Sequence, residues 1–525
     1  MLPALFTFCS LEDTAYVAVP EITPGVIWRA FRVVERMPLR SKISQITLVY
    51  PPGVGYTTKY PIGGAVFNQR HIKLPGFPEK VAAYNRANPL PILASADQEG
   101  GRINRLKNVP GCDDVASPRE MANWRPDSVE MYAFAIASTM RAVGLNVNLA
   151  PVLDVATDSS ALMFRMGRTF GLGFDRARMY GRAFSRGMRR GGILTVAKHF
   201  PGYGNTRWNS DVQLTEFKGD SAFLMRNWEV FRNVSAYLDG FMVSSLIYPF
   251  LDTVPATFSP RVVEMARRID PWKVVMTDDL WAPALREFVR EDYRENFTDD
   301  DLRVIFRRAF LAGNDVLMIL FPAKLPILYS EIGRLVKGDS ALRKRLDSSV
   351  VRVLLMKHKA FPYLIDSLYY SRFRAERFLF LEATAWRCTP TDELVDRLRR
   401  FRFSGVVLLG GEPRCKRNPD DVARLLSAEG FKVIAGDVRW QDPTLYFGSY
   451  RERTGILITP GRRLSLRPYE DGMAPSEGYA PVIDLSTDEA YAHHERRLDE
   501  DGHRLIFYRS YSSLGRLDSL PKLPE

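Results

Sequence analysis

Cysteine and histidine are both scarce in this chain. The four cysteines, Cys9, Cys112, Cys388 and Cys415, lie far apart and form no CxxC pair. That spacing argues against a disulfide framework or a zinc site, and no metal or organic cofactor is expected. No apolar run reaches the length that spans a bilayer, and no basic residue precedes Arg29, so the charged flank of a secretory signal is missing. A cytoplasmic protein with no membrane partner is the expectation. Internal repeats and low-complexity tracts are missing as well. Arginine, by contrast, is plentiful, and the net charge is +12. In "SRFRAERF" (371–378) and "DRLRRFRF" (396–403) arginines alternate with apolar residues. The alternation fits amphipathic helices with solvated arginines better than a nucleic-acid tract, so no nucleic-acid partner is expected. Attraction of the basic surface to an acidic cell-wall glycan stays open.

What the chain does contain is a long alternation of strand and helix patterns. Its 525 residues exceed one ordinary core, while 46% hydrophobic and 26% charged residues are the balance of a globular protein. Seven runs read as buried strands: 43–50, 91–97, 147–155, 192–200, 240–247, 273–279 and 314–320. Each is nearly all apolar, as parallel strands covered on both faces require. Helical patterns such as 128–144 and 175–192 separate them. The fold class expected is α/β: a (β/α)₈ TIM-type barrel, complete or short of one strand, followed by a smaller C-terminal α/β domain. The boundaries are 1–38 for an extension packed on the barrel, 39–365 for the barrel, and 366–525 for the C-terminal domain. In the last, strands are read at 378–385, 405–411, 431–437, 446–461 and 503–510, with a helix at 418–430. "LLGGEP" (408–413) lacks the GxGxxG pattern of a nucleotide loop and reads as an ordinary turn.

Each barrel strand ends at a polar or charged residue. Residues at C-terminal strand ends of such a barrel converge on one mouth. Asp97, Lys198, His199 and Asp278 lie there on this reading. Solvation alone does not explain four such groups at one mouth.

Five segments, "ADQEGGRINRLK" (96–107), "GLNVNLAPVLDVA" (144–156), "GRTFG" (167–171), "KHFPGYGNT" (198–206) and "VVMTDDL" (274–280), occur in this order. Together they resemble family 3 glycoside hydrolases, specifically the β-N-acetylhexosaminidase branch, and "AFLAGNDVLMI" (309–319) is similar to a further family segment. The resemblance covers roughly residues 40 to 325. It implies a retaining exo-glycosidase acting on a terminal β-linked N-acetylhexosamine or related sugar, with a carbohydrate, such as a cell-wall glycan fragment, as its partner. It also implies Asp278 as the nucleophile and Asp97, Arg105, Arg168, Lys198 and His199 as sugar-binding residues. Carboxylates accept hydrogen bonds from sugar hydroxyls, and lysine and arginine donate them. A retaining enzyme places its two carboxyl groups about 5 Å apart. Asp279 points the other way by strand alternation and reads as structural. Glu99 reads as a brace for its loop; Asp154 fits a supporting role or a strand-end cap equally.

The chain departs from the resemblance in one loop. That branch carries "KHFPGHGDTxxDSH", whose final aspartate and histidine form an acid/base dyad. Here, without a gap, Tyr203 replaces the second histidine, Asn209 the dyad aspartate and Asp211 the catalytic histidine. The six histidines are His71, His199, His358, His493, His494 and His503, so no other imidazole lies in the loop. Ser245 also stands where the family often has histidine. Three readings stay open: Asp211 is itself the general acid/base, another carboxylate supplies the proton as in β-glucosidase-type relatives, or the barrel binds glycan without turnover. An ionised aspartate would also repel phosphate, which favours hydrolysis over phosphorolysis. The glycines and proline of 198–211 read as a mobile loop.

Overall fold

The computed structural model describes residues 19–362 continuously. Beyond them it describes the helix Leu364–Tyr370 and seven strands between 379 and 508. The chain divides into two compact units, 1–366 and 367–525.

In the first unit, eight parallel strands form a barrel: β1 (Thr47–Val49), β2 (Gly64–Val66), β3 (Leu93–Ala96), β4 (Val147–Asn148), β5 (Leu194–Phe200), β6 (Gly240–Val243), β7 (Val274–Thr277) and β8 (Leu317–Ile319). Neighbours in sequence pair side by side, and β1 pairs with β8. The β7–β8 seam is closed by the parallel bridge Met276–Val316 and by the Thr277 N–H donating to the Val316 carbonyl at 3.0 Å. The ring is therefore complete. Its eighth member, β2, is the strand the sequence pattern misses. It has three residues and begins at Gly64, the last residue of "YPIGG" (60–64). Those glycines are needed because a Cβ on Gly63 would meet the Gln45 carbonyl at 2.4 Å, and one on Gly64 the Leu93 carbonyl at 2.8 Å. The sheet passes too close there for side chains.

Every residue of β1, β2, β3, β5, β6, β7 and β8 is buried, which is why these runs are apolar on both faces. Leu48, Leu93, Val196, Met242, Val274 and Met318 fill the interior, joined by Val353 and Met356 of the helix Ser340–Ala360. Leu153, Phe200, Phe231, Phe241 and Val262 belong to a second cluster between sheet and helices. The helix Pro24–Arg36 starts on a Thr23 hydroxyl that accepts from the Val26 N–H. It packs on Ser340–Ala360, burying Val26, Ala30, Val33 and Val34. Residues before 19 lie outside the described part of the extension.

In the second unit, Lys432–Asp437, Gly405–Gly410, Leu379–Ala383 and Ile506–Tyr508 form a parallel sheet in that order. Thr444–Tyr446, Arg462–Arg467 and Ile456–Thr459 make a separate three-stranded one. The expected helix at 418–430, both arginine-rich segments and the end of "LLGGEP" lie outside the described residues.

Candidate active site

The site is built on strand β5. Side chains of consecutive strand residues point to opposite faces, so Lys198 and His199 should not face one cavity together. The register of β5 shifts at this point. Ala197 pairs with Phe241 and Phe200 with Val243, leaving one extra residue on β5 across that step. An extra residue breaks the alternation and re-aims its neighbours, and here both side chains enter one network.

The Lys198 Nζ donates to Asp97 Oδ1 at 2.6 Å and lies 2.8 Å from Glu99 Oε1. Arg168 forks onto the same Glu99, Nε to Oε2 at 2.8 Å and Nη2 to Oε1 at 2.9 Å. The Arg168 Nη2 also lies 3.4 Å from His199 Nε2, and Arg105 Nη2 lies 3.8 Å from Asp97 Oδ2. Behind the imidazole, Asp154 Oδ2 lies 2.7 Å from His199 Nδ1, while its Oδ1 accepts from the backbone N–H groups of His199 and Tyr203. Asp97, Arg105, Arg168, Lys198 and His199 thus share one connected cluster. Glu99 and Asp154, each 1% exposed at the side chain, tie it together.

Charge balance holds Glu99, Arg168 and Lys198 in their ionised forms. Burial alone would push the Glu99 carboxyl up, but Arg168 and Lys198 outweigh it and hold it well below the usual carboxylate range. Burial likewise disfavours the Arg168 and Lys198 charges. Glu99 reverses that for Arg168, with smaller help from Asp154 and Asp211, while Asp97 and then Glu99 reverse it for Lys198. Such a set, with cations and carboxylates alternating on a dry floor, suits a polyhydroxylated ligand.

Asp278 follows the last residue of β7 and is partly buried. Burial, followed by the Asp211 charge, pushes its carboxyl above the usual range; His199, the Asp279 N–H and Lys198 pull the other way. Asp279 turns to the scaffold: its Oδ1 accepts from the Trp281 and Leu320 N–H groups at 3.1 and 3.0 Å, joining the segments that follow β7 and β8. Burial drives its carboxyl up to about 6.

The loop after β5 is fastened rather than loose. Gly204 bridges Lys218 and Glu216 bridges Ile247, closing its base. Gly202, at φ +130°, fits because a Cβ there would meet the Asn227 Oδ1 at 2.1 Å. The buried Tyr203 hydroxyl accepts from the Ser210 N–H at 2.9 Å and donates to the Ser210 Oγ at 3.0 Å. The Asn209 Oδ1 accepts from the Asp211 N–H at 3.0 Å, so Asn209 shapes the turn and leaves the Asp211 carboxylate exposed. Glu287 Oε2 accepts from the Leu214 N–H at 2.8 Å. The loop expected from its glycines carries hydrogen bonds on both limbs.

Several supporting residues escape a sequence reading. Gln98 accepts from the Arg105 and Leu106 N–H groups and exchanges hydrogen bonds with Asn148 on β4, which fixes the loop that carries Asp97, Glu99 and Arg105. The only signal is an uncharged amide inside "DQEGG" and another inside "VNLAP". Ser245 is 2% exposed and its hydroxyl has no hydrogen-bond partner. Among the described residues, no three His, Cys, Asp or Glu side chains are grouped as a metal site.

Residues 64–356 match the family described as "Glycosyl hydrolase family 3 N terminal domain". The chain is similar to a beta-hexosaminidase of Pseudomonas aeruginosa, 32% identical over 225 residues that cover 42% of this chain and 66% of that relative, just under two thirds of its length. It is similar to the beta-hexosaminidase LpqI of Mycobacterium tuberculosis, 28% identical over 278 residues covering 51% of this chain and 69% of the relative. The solved structure of LpqI superposes with a TM-score of 0.55 at 25% identity, covering 62% of this chain and 96% of LpqI. The family match takes in more than half of the chain and seven of the eight strands whose ends carry the clustered residues, so the chain belongs to glycosyl hydrolase family 3.

Proposed function

We propose that the protein is an exo-acting glycosidase that removes a terminal β-linked N-acetylhexosamine, or a closely related sugar, with retention through an aspartyl glycosyl-enzyme. One observation carries the reading: Asp278 directly follows β7 in the same ring of parallel strands in which Asp97 directly follows β3 and Lys198 and His199 lie near the end of β5. Asp97, Arg105, Arg168, Lys198 and His199 hold the sugar hydroxyls. An Asp278 oxygen attacks C1 as the glycosidic C–O bond breaks, and protonated Asp211 gives its proton to the leaving oxygen. Asp211 then takes a proton from water, which attacks C1 and releases Asp278. The hexosaminidase names of the Pseudomonas and Mycobacterium relatives support the sugar class. A cell-wall glycan fragment is the substrate class that fits both those names and the basic surface.

The loop without an imidazole favours a second reading, a sugar-binding barrel with no turnover. Incubation with a 2-deoxy-2-fluoro or 5-fluoro glycosyl donor, followed by peptide mapping, separates the two. A tag on Asp278 is expected; active protein with no tag there removes the nucleophile assignment, and binding without turnover favours the second reading. For Asp211, the variant D211A should lose about 10²- to 10⁴-fold on substrates with poor leaving groups and little on activated aryl glycosides.

A further inference from the structure

We propose that Tyr203 and Ser210 are positioning residues: their paired hydrogen bonds latch the loop so that Asp211 stands over the mouth before substrate arrives. The kinetic part of this rests on Asp211 being the acid/base; the latch itself does not.

Ser210 directly precedes Asp211, and all of its polar atoms are engaged. Its N–H donates to the Tyr203 hydroxyl at 2.9 Å, its Oγ accepts from that hydroxyl at 3.0 Å, and its carbonyl accepts from the Ala284 N–H at 3.4 Å. Ser210 is 4% and Tyr203 1% exposed, so water competes poorly for these bonds. The Tyr203 N–H in turn donates to Asp154 Oδ1, the oxygen that also holds the His199 N–H. One chain of contacts therefore runs His199, Asp154, Tyr203, Ser210, Asp211. A second anchor lies on the helix Pro283–Val289, five residues beyond Asp278, through Ala284 and through Glu287 bound to Leu214. Asp211 is thus referenced both to the sugar-binding strand and to the strand that carries Asp278. An aspartate reaches less far than the histidine it replaces, so it depends more on where its backbone is held. A phenol in place of the family's loop histidine supplies that hold with one group that both donates and accepts.

A purely packing role for the Tyr203 ring, which lies 5.6 Å from the His199 ring, predicts something different. The variant Y203F keeps the ring and deletes both hydrogen bonds. Hydrogen exchange on the intact protein should then quicken about fivefold or more at the Ser210–Leu214 amides, the factor expected for one hydrogen bond, with 198–200 unchanged. Turnover of a poor-leaving-group substrate should drop about tenfold, a part of the general-acid contribution, while an activated aryl glycoside is turned over as before and KM holds. S210A, a smaller change, should act in the same direction, and the double variant should be no worse than Y203F alone. Unchanged exchange in Y203F and S210A overturns the latch. An equal loss on both substrates overturns the positioning role of the pair toward Asp211. Faster exchange combined with a D211A variant that shows no leaving-group dependence leaves the latch standing and removes Asp211 as the acid.

Discussion

The floor of the mouth and the loop above it are built by opposite means. On the floor, Asp97, Glu99, Lys198 and Arg168 are ionised groups paired at 2.6–2.9 Å, and Glu99 and Lys198 are almost wholly buried. In the loop, Asp211 is exposed and its position is set by neutral hydrogen bonds to Asn209 and between Tyr203 and Ser210. Removing one charge from the floor strands its partners in a dry site, which is costly. Changing a loop residue disturbs only local bonds. On the proposed function, the difference accounts for a set of sugar-binding residues that keeps its charged pairs beside a loop whose acid/base position is free to change residue type.

The sharpest break of this comparison is at Asp278. The variant D278A should lower kcat by about 10⁴-fold or more on any glycoside, with sugar affinity retained on the paired floor. Isothermal titration with a sugar product checks the second half; unaltered turnover would remove Asp278 from the chemistry. Next is Glu99. E99Q should destabilise the protein by about 3–5 kcal/mol, because Arg168 loses its carboxylate and Lys198 one of two. Chemical denaturation measures this, and D211A serves as the loop control with a change inside about 0.5 kcal/mol. A smaller cost at the floor than in the loop would reverse the comparison.

A gentler probe is pH. On the proposed mechanism Asp278 must be ionised to attack, and burial with the Asp211 charge raises its carboxyl. Activity should therefore rise with pH along a limb that lies above the ordinary carboxylate range. In D211N the repulsion is gone, so the acid limb of kcat/KM, read on an activated aryl glycoside, should move to lower pH. A limb that stays in place would mean that the Asp211 charge does not reach Asp278. The smallest effect concerns the acceptor. In phosphate buffer the product should be mainly free sugar, and D211N should raise the share of sugar phosphate, since a negative charge that repels the anion is removed. More sugar phosphate than free sugar from the native protein would contradict this.

Much of the barrel was legible because both faces of its strands are buried, which makes each strand a continuous apolar run that stops at a polar residue. Asp97, Lys198, His199 and Asp278 stood out for that reason. β2 did not, since three residues with glycines enforced by backbone approach carry no periodic signal. Asp154 and Glu99 were visible as types, but their places as hubs were not: Asp154 meets His199 from 45 positions away and Tyr203 from 49, and Glu99 meets Arg168 from 69. The anchors of the loop were not legible either, because glycine content reports backbone freedom and says nothing about contacts such as those of Tyr203, Glu287 and Asn209.

Sequence alone determined the class of fold, seven of the eight barrel strands, the polar groups that end them and the lack of any histidine between His199 and Asp211. These are properties of local pattern, in which burial dictates apolar runs and residue type dictates chemistry. Tertiary structure decided the rest: the register shift on β5 at which Lys198 and His199 join one network, the place of β2 in the ring and the seam between β7 and β8, and the fastening of the Asp211 loop between β5 and the helix after β7. Each depends on groups far apart in the chain meeting at hydrogen-bond distance, and no local pattern encodes which distant partner a group will find.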